Sequence, residues 1–95
     1  MSYWVYILAS KPQGTLYTGM SSALVKRVYQ HREGLVEGFS KRYNVKRLVW
    51  FEEHATALAA IAREKSIKRW LRAAKIAVIE ERNPHWRDLY DDIAR

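Results

Sequence analysis

Apolar positions along the chain fall into short blocks separated by polar or glycine-containing segments, and the spacing inside each block predicts its secondary structure. Residues 3–9, YWVYILA, are dense in aromatic and β-branched types and predict a strand. Alternation places Trp4, Tyr6 and Leu8 on one face and Tyr3, Val5 and Ile7 on the other. Apolar side chains on both faces predict a strand covered from both sides. Ser10-Lys11-Pro12-Gln13-Gly14 has turn composition and leads into a second strand-forming run, residues 15–19, so the two runs predict a β-hairpin.

Ser21 or Ser22 is then placed to cap a helix over residues 23–33, which Gly34 ends. Leu24, Val28 and His31 share one stripe of it, with Arg27 at the edge. Residues 35–44 predict a loop. Residues 45–51, VKRLVWF, predict a third strand, with Glu52 and Glu53 at its exit. Alanine-rich residues 56–71 predict a long helix, and residues 74–81 a second one, closed by Asn83-Pro84. The last stretch, residues 85–95, predicts one or two amphipathic turns through Trp86, Leu89, Tyr90 and Ile93, packed on the domain's own core. The order β-β-α-β-α-α predicts an α+β fold, a small, mainly antiparallel three-stranded sheet flanked by helices. One domain is expected over residues 1–95, with a core of about 3–84.

Composition narrows the classes. Hydrophobic residues are 48% and charged residues 28% of the 95 positions, enough apolar surface to exclude a disordered chain. Without cysteine there is neither a disulfide nor a thiolate metal site. No apolar stretch approaches the ~18 residues of a membrane span, and the N-terminal run has no basic flank, so a cytoplasmic protein is expected. The net charge is +7 and uneven: residues 1–50 carry eight bases against two acids, and residues 63–75 six against one. Such a surface suits a polyanion, of which nucleic acid is the commonest in a cytoplasm.

Candidate chemistry is sparse. There is no glycine-rich phosphate loop, no G-x-S-x-G elbow and no H-E-x-x-H, and the histidines at 31, 54 and 85 have no metal-ligand spacing. What remains is a polar set on apolar elements: Tyr6 and Tyr17 on the hairpin strands, and Arg27 and His31 four apart on one helix face. Glu64 has Ala60, Ile61, Ile67 and Leu71 as its helical neighbours, an apolar stripe in which a carboxylate is costly unless a cation, a metal or donors meet it. Lys68 at +4 could supply a plain salt bridge instead.

Val5-Tyr6-Ile7 followed by Tyr17-Thr18-Gly19 resembles the paired GIY and YIG motifs of the GIY-YIG nucleases, with Val5 in place of the first glycine and Thr18 in place of the second isoleucine. Arg27 and His31 match the family's helix signature, Glu64 within Ala-Arg-Glu-Lys-Ser its motif glutamate, and Asn83 its late asparagine. The resemblance spans roughly residues 3–84. It is strongest to the small standalone bacterial members, which are similar to the N-terminal nuclease domain of the UvrC repair protein. It implies metal-dependent endonucleolytic hydrolysis of DNA phosphodiester bonds, in repair, recombination or processing. One divalent ion, Mg²⁺ or Mn²⁺, would be held by Glu64. Arg27 would stabilise the phosphorane, Tyr6 would be the general base, Tyr17 would position water or phosphate, and Asn83 would orient the site. A free phenol titrates near pH 10, so Arg27, the metal and a hydrogen bond to His31 would have to lower the Tyr6 value. Met20 stands where UvrC-like members carry lysine, which leaves His31 as the activating partner.

Two surfaces complete the expectation. Phe39, Lys41, Arg42 and Tyr43 interleave aromatic and basic side chains, suited to stacking on unpaired bases. Lys65, Lys68, Arg69 and Arg72, with Lys75 beyond them, form a basic stretch suited to phosphates, which position a duplex without reading sequence. Low sequence specificity follows, with branched, nicked or single-stranded DNA as the expected preference. Homodimerisation or a protein partner is left open. The alternative is a non-catalytic nucleic-acid-binding module on the same fold.

Overall fold

Strand β1 (Tyr3–Ala9) forms the centre of the sheet because its side chains are apolar on both faces and need cover on both. In the computed structural model, which describes residues 1–94, the strand order is β2-β1-β3, with β2 (Leu16–Ser21) and β3 (Arg47–His54) both antiparallel to β1. Arg95, the last residue of the expected C-terminal segment, lies outside the described residues. The hairpin register pairs Tyr6 with Gly19 and Leu8 with Tyr17. Against β3, Ile7 pairs with Trp50 but Leu8 with Leu48, so Val49 is an extra residue at a β-bulge.

Each face of β1 has its own core, in the alternation expected. Val5, Ile7 and Ala9 pack with Val49, Trp50, Ala60, Ile67, Ile79 and Trp86, and Tyr3 joins them at the margin. Tyr6 and Leu8 pack with Leu24, Val28, Val45 and Leu48, and Trp4, Tyr17 and Leu89 join this second cluster. Helices α3 (Ala57–Arg69) and α4 (Arg72–Arg82) supply the first cover. Helix α1 (Leu24–Arg32) and the C-terminal segment supply the second.

The expected order β-β-α-β-α-α holds for the longer elements, and two short helices are added to it. Helix α2 (Phe39–Arg42) lies in the segment expected to be a loop, and α5 (Tyr90–Ile93) in the C-terminal segment. Four residues with three basic or polar side chains carry no apolar periodicity, so nothing local marks α2. It is held from outside, by Gly38 at φ 111° on entry and by the Val45 N–H donating to the Ser40 carbonyl at 2.8 Å on exit.

Other boundaries move for similar reasons. Neither serine caps α1: Ala23 occupies the N-cap position without a side-chain bond, while Ser21 Oγ accepts from the Ala23 N–H at 3.0 Å. Gly34 does end α1, at φ 69°. Strand β3 starts at Arg47 and absorbs Glu52 and Glu53, which were expected at its exit. Helix α3 stops at Arg69, and α4 starts at Arg72 rather than Ala74. Leu71 therefore lies between two helices, 82% exposed, and is not part of the apolar stripe beside Glu64.

The C-terminal segment closes the outer edge of β3. Asn83 Nδ2 donates to the Val49 carbonyl at 3.1 Å, Arg82 donates to the Phe51 carbonyl at 2.6 Å, and the Leu89 N–H donates to the Leu48 carbonyl at 2.8 Å. Asp88 accepts from the Leu48 N–H and pairs with Arg32. Trp86 is buried, and its indole N–H donates to Glu80. These groups satisfy an edge that would otherwise offer itself to another strand. Among the described residues, no helix is long and apolar enough to cross a membrane.

Candidate active site

The hairpin and α1 bring Tyr6, Tyr17 and His31 together. Tyr6 faces α1 from mid-strand, its ring lying against the backbone of its cross-strand partner Gly19. A Cβ at position 19 would sit 2.5 Å from the Tyr6 hydroxyl oxygen and 2.6 Å from Cζ, so the motif glycine is the space the tyrosine occupies. On the buried stripe of α1, His31 turns Nε2 to the Tyr6 hydroxyl at 3.0 Å and Nδ1 to Ser40 Oγ at 2.7 Å. Tyr17 leans over both, its ring centroid 5.2 Å from His31 and 6.4 Å from Tyr6.

Arg27, one turn before His31, is half-buried and donates to Gln30 Oε1 at 3.3 Å. It also lines a concavity of about 410 Å³ with Met20, Ser21, Ser22, Ala23, Lys26 and Gln30. Glu64 projects from α3 with its side chain only 17% exposed, and Lys68 one turn on holds Oε2 at 3.1 Å. The i,i+4 salt bridge weighed from the sequence is therefore present.

Electrostatics tie the set together. Burial first, then Tyr17 and Glu64, push the Tyr6 phenol up to about 12, while Arg27 pulls it down. Among the protein's own groups, desolvation of a phenolate outweighs one guanidinium, so any lowering of the Tyr6 value would have to come from the bound ion. His31 is pushed down to about 4, chiefly by burial and then by Arg27. Both partners of the Tyr6–His31 hydrogen bond are accordingly neutral near pH 7.

A pH dependence of folding follows. The folded His31 value lies below the ordinary 6.5, so between these two values the unfolded chain binds more protons. Its contribution is complete above pH 6.5 and is lost as pH falls toward 4, about 3 kcal/mol in all. Urea unfolding at pH 7.0 and 4.5 is expected to show a steep loss of stability that His31→Gln flattens. An equal slope in both proteins would mean that His31 is not held neutral.

The other sequence candidates are placed differently. Asn83 is buried, and its amide is taken up by Val49 and by both the carbonyl and N–H of Arg87, at 2.9 and 3.0 Å for the last two. Its hydrogen bonds go to the β3 edge and not to Tyr6 or Arg27. Phe39 continues the aromatic row, stacked on Tyr17 at 6.3 Å and followed by Tyr43 at 4.7 Å, with Arg42 over the Tyr43 ring. Lys41 pairs with Glu37 beside it. Lys65 and Arg69 are exposed on α3, whereas Arg72 donates to the Gln13 and Gly14 carbonyls and fastens α4 to the hairpin turn.

Two residues of the cluster lay outside the sequence selection. Gly19 was visible as a motif position, without the steric reason for it. Ser40 carried no signal, since a serine in a presumed loop is ordinary. For a metal, Glu64 offers one hard carboxylate, and among the described residues no group of three or more His, Asp or Glu side chains could hold an ion. A lone carboxylate with an exchangeable lysine fits Mg²⁺ or Mn²⁺, which take most of their ligands from water and phosphate, and does not fit an all-protein cage.

Comparison with known proteins identifies the family of this fold. Residues 2–77 match the family model of the GIY-YIG catalytic domain. The chain is 35% identical over 81 residues to UPF0213 proteins of Staphylococcus aureus, a match covering 85% of this chain and 98% of theirs. The solution NMR structure of a UPF0213 protein from Bacillus halodurans superposes with a TM-score of 0.57 at 23% identity, covering 93% of each chain, a likeness of fold. The family is a nuclease superfamily, which makes nucleic acid the general substrate class. The chain belongs to the GIY-YIG family, and is similar to its small standalone UPF0213 type.

Proposed function

We propose that this protein is a divalent-metal-dependent endonuclease that hydrolyses DNA phosphodiester bonds with low sequence specificity. The observation that carries the reading is the buried 3.0 Å contact between the Tyr6 hydroxyl and His31 Nε2, beside Arg27 and within the field of Glu64. A phenol held near 12 is a poor base by itself. Coupled to a neutral imidazole, Tyr6 can take a proton from the attacking water at its oxygen while passing its own to Nε2. One proton leaves the water, one reaches His31, and no free phenolate is needed. Hydroxide then attacks phosphorus as the bond to the 3′ oxygen breaks, and the departing oxygen takes a proton from solvent water. Arg27 pairs with the scissile phosphate through its planar donor fork. Tyr17 orients water or phosphate from the neighbouring strand. Glu64 would hold the divalent ion after releasing Lys68, and the ion would supply charge stabilisation for the phosphorane.

The surfaces support DNA and not a small ester. Phe39 and Tyr43, each about half exposed, lie against a concavity of about 710 Å³ also lined by Lys41 and Arg42. That combination suits stacking of unpaired bases. Lys65 and Arg69 present charge without a recognition element, the basis for low sequence specificity. Roles in repair, recombination or processing fit a preference for branched, nicked or single-stranded DNA.

The test is cleavage of labelled nicked, flapped, branched, single-stranded and plain duplex DNA with Mg²⁺ or Mn²⁺. Tyr6→Phe is expected to lose about 100-fold or more in rate, and Glu64→Ala to lose metal-dependent cutting, both remaining folded by circular dichroism. Cutting at equal rates in all three proteins would refute the assignment. Salt-sensitive binding without cutting in any of them would favour a non-catalytic binding module.

A further inference from the structure

His31 has a second hydrogen bond that the reaction described above does not use. Nδ1 lies 2.7 Å from Ser40 Oγ, and Ser40, His31 and Tyr6 are 3%, 2% and 1% exposed. At that burial each hydroxyl and ring nitrogen of the free fold takes its hydrogen-bond partner from the protein. We propose that Ser40 is a positioning residue that fixes the tautomer of His31: its Oγ accepts the Nδ1 hydrogen and so leaves Nε2 as the acceptor facing the Tyr6 hydroxyl. The catalytic consequence rests on the nuclease reading, while the hydrogen placement does not.

The assignment follows from donors and acceptors. A neutral imidazole carries one ring hydrogen. The buried Tyr6 hydroxyl needs an acceptor for its own hydrogen, and Arg27 beside it has only donors to offer. Among the described residues, Nε2 is the acceptor within hydrogen-bond reach of that hydroxyl. Nε2 must then be bare, and Nδ1 must bear the hydrogen that points to Ser40. The opposite tautomer would aim Nε2–H and the Arg27 donors together at the phenol oxygen. It would also strand the hydrogen of the phenol, the more acidic of the two hydroxyls.

Ser40 is held to this task by its element. Gly38, at φ 111°, turns the chain into α2, and the Val45 N–H bonds the Ser40 carbonyl on the far side. As Nε2 receives the Tyr6 proton, Ser40 Oγ remains bonded to Nδ1–H of the resulting imidazolium. No atom beyond that one proton moves between Tyr6 and His31.

The experiment is the two-bond ¹H–¹⁵N correlation pattern of His31 in uniformly ¹⁵N-labelled protein at pH 7, assigned by its loss in His31→Gln, alongside steady-state cleavage. The wild type is expected to show the Nδ1–H tautomer. Ser40→Ala is expected to convert His31 to Nε2–H or a mixture, and to lower kcat about 10- to 100-fold with KM unchanged. Ser40→Thr, which keeps the acceptor, should retain both. If Ser40→Ala does not fold, Ser40→Cys removes the strong acceptor at nearly constant shape and reads the same change. An Nε2–H pattern in the wild type, or an unaltered pattern in the folded variant, overturns the proposal. The expected tautomers in proteins that cut no DNA would uphold the placement of Ser40 and count against the nuclease reading instead.

Discussion

Gly19→Ala is expected to reduce cleavage by about 100-fold or more while leaving a folded protein. The added methyl would lie 2.5 Å from the Tyr6 oxygen and within 2.9 Å of the ring carbons Cζ and Cε2. Neither side can yield easily. Position 19 is buried in β2 and paired to β1 at Tyr6 itself, and the ring is packed among Leu24, Val28 and Leu48. The ring must move, which breaks the 3.0 Å contact with His31. Overpacking of this kind costs about 1–3 kcal/mol in stability. The two effects can be separated by a double-mutant cycle with Tyr6→Leu, read by urea unfolding. A smaller side chain at 6 should absorb most of the cost of the methyl, giving clear non-additivity. Additive costs would show that the glycine serves something other than the tyrosine.

The second large effect concerns stability. Asn83→Ala is expected to destabilise the fold by about 2–4 kcal/mol, because it leaves the buried Val49 carbonyl and, at part-buried positions, both main-chain groups of Arg87 without their partner. For a domain of this size that corresponds to a fall in Tm of about 10–20 °C. The same loss would release the C-terminal segment from the outer edge of β3, where Leu89 and Asp88 are bonded to Leu48. Calorimetry measures the first effect, and hydrogen exchange of the residue 86–90 amides the second. Unchanged thermal stability accompanied by a large drop in cleavage would return Asn83 to the role of site residue that the family resemblance implies. Asn83→Asp should recover part of the stability, since its oxygen still accepts from the Arg87 N–H while both donors are gone.

Local residue patterns set the frame of the molecule. The two-faced apolar run of β1 required cover on both sides, and the hairpin turn set Tyr6 opposite β2. The Leu24–Val28–His31 stripe brought the histidine to the sheet. These are short-range consequences of periods 2 and 3.6, which read correctly wherever burial follows the pattern. The paired tyrosine motifs, Arg27, His31 and Glu64 were likewise legible, because their spacing is local and ordered along the chain.

Other properties are created where elements meet across long separations, and no local pattern carries them. Helix α2 has no periodicity and exists because Gly38 and Val45 hold it, so Ser40 was invisible as a partner of His31. Asn83 was assigned to the site by motif position, while its bonds run to β3 and to the C-terminal segment. Helical spacing puts Leu71 in the stripe of Glu64, yet the helix ends two residues earlier. The sign of the Tyr6 shift also needed the fold. Sequence lists the groups that could favour a phenolate, but only packing fixes how completely water is removed, and here that loss outweighs the nearby guanidinium.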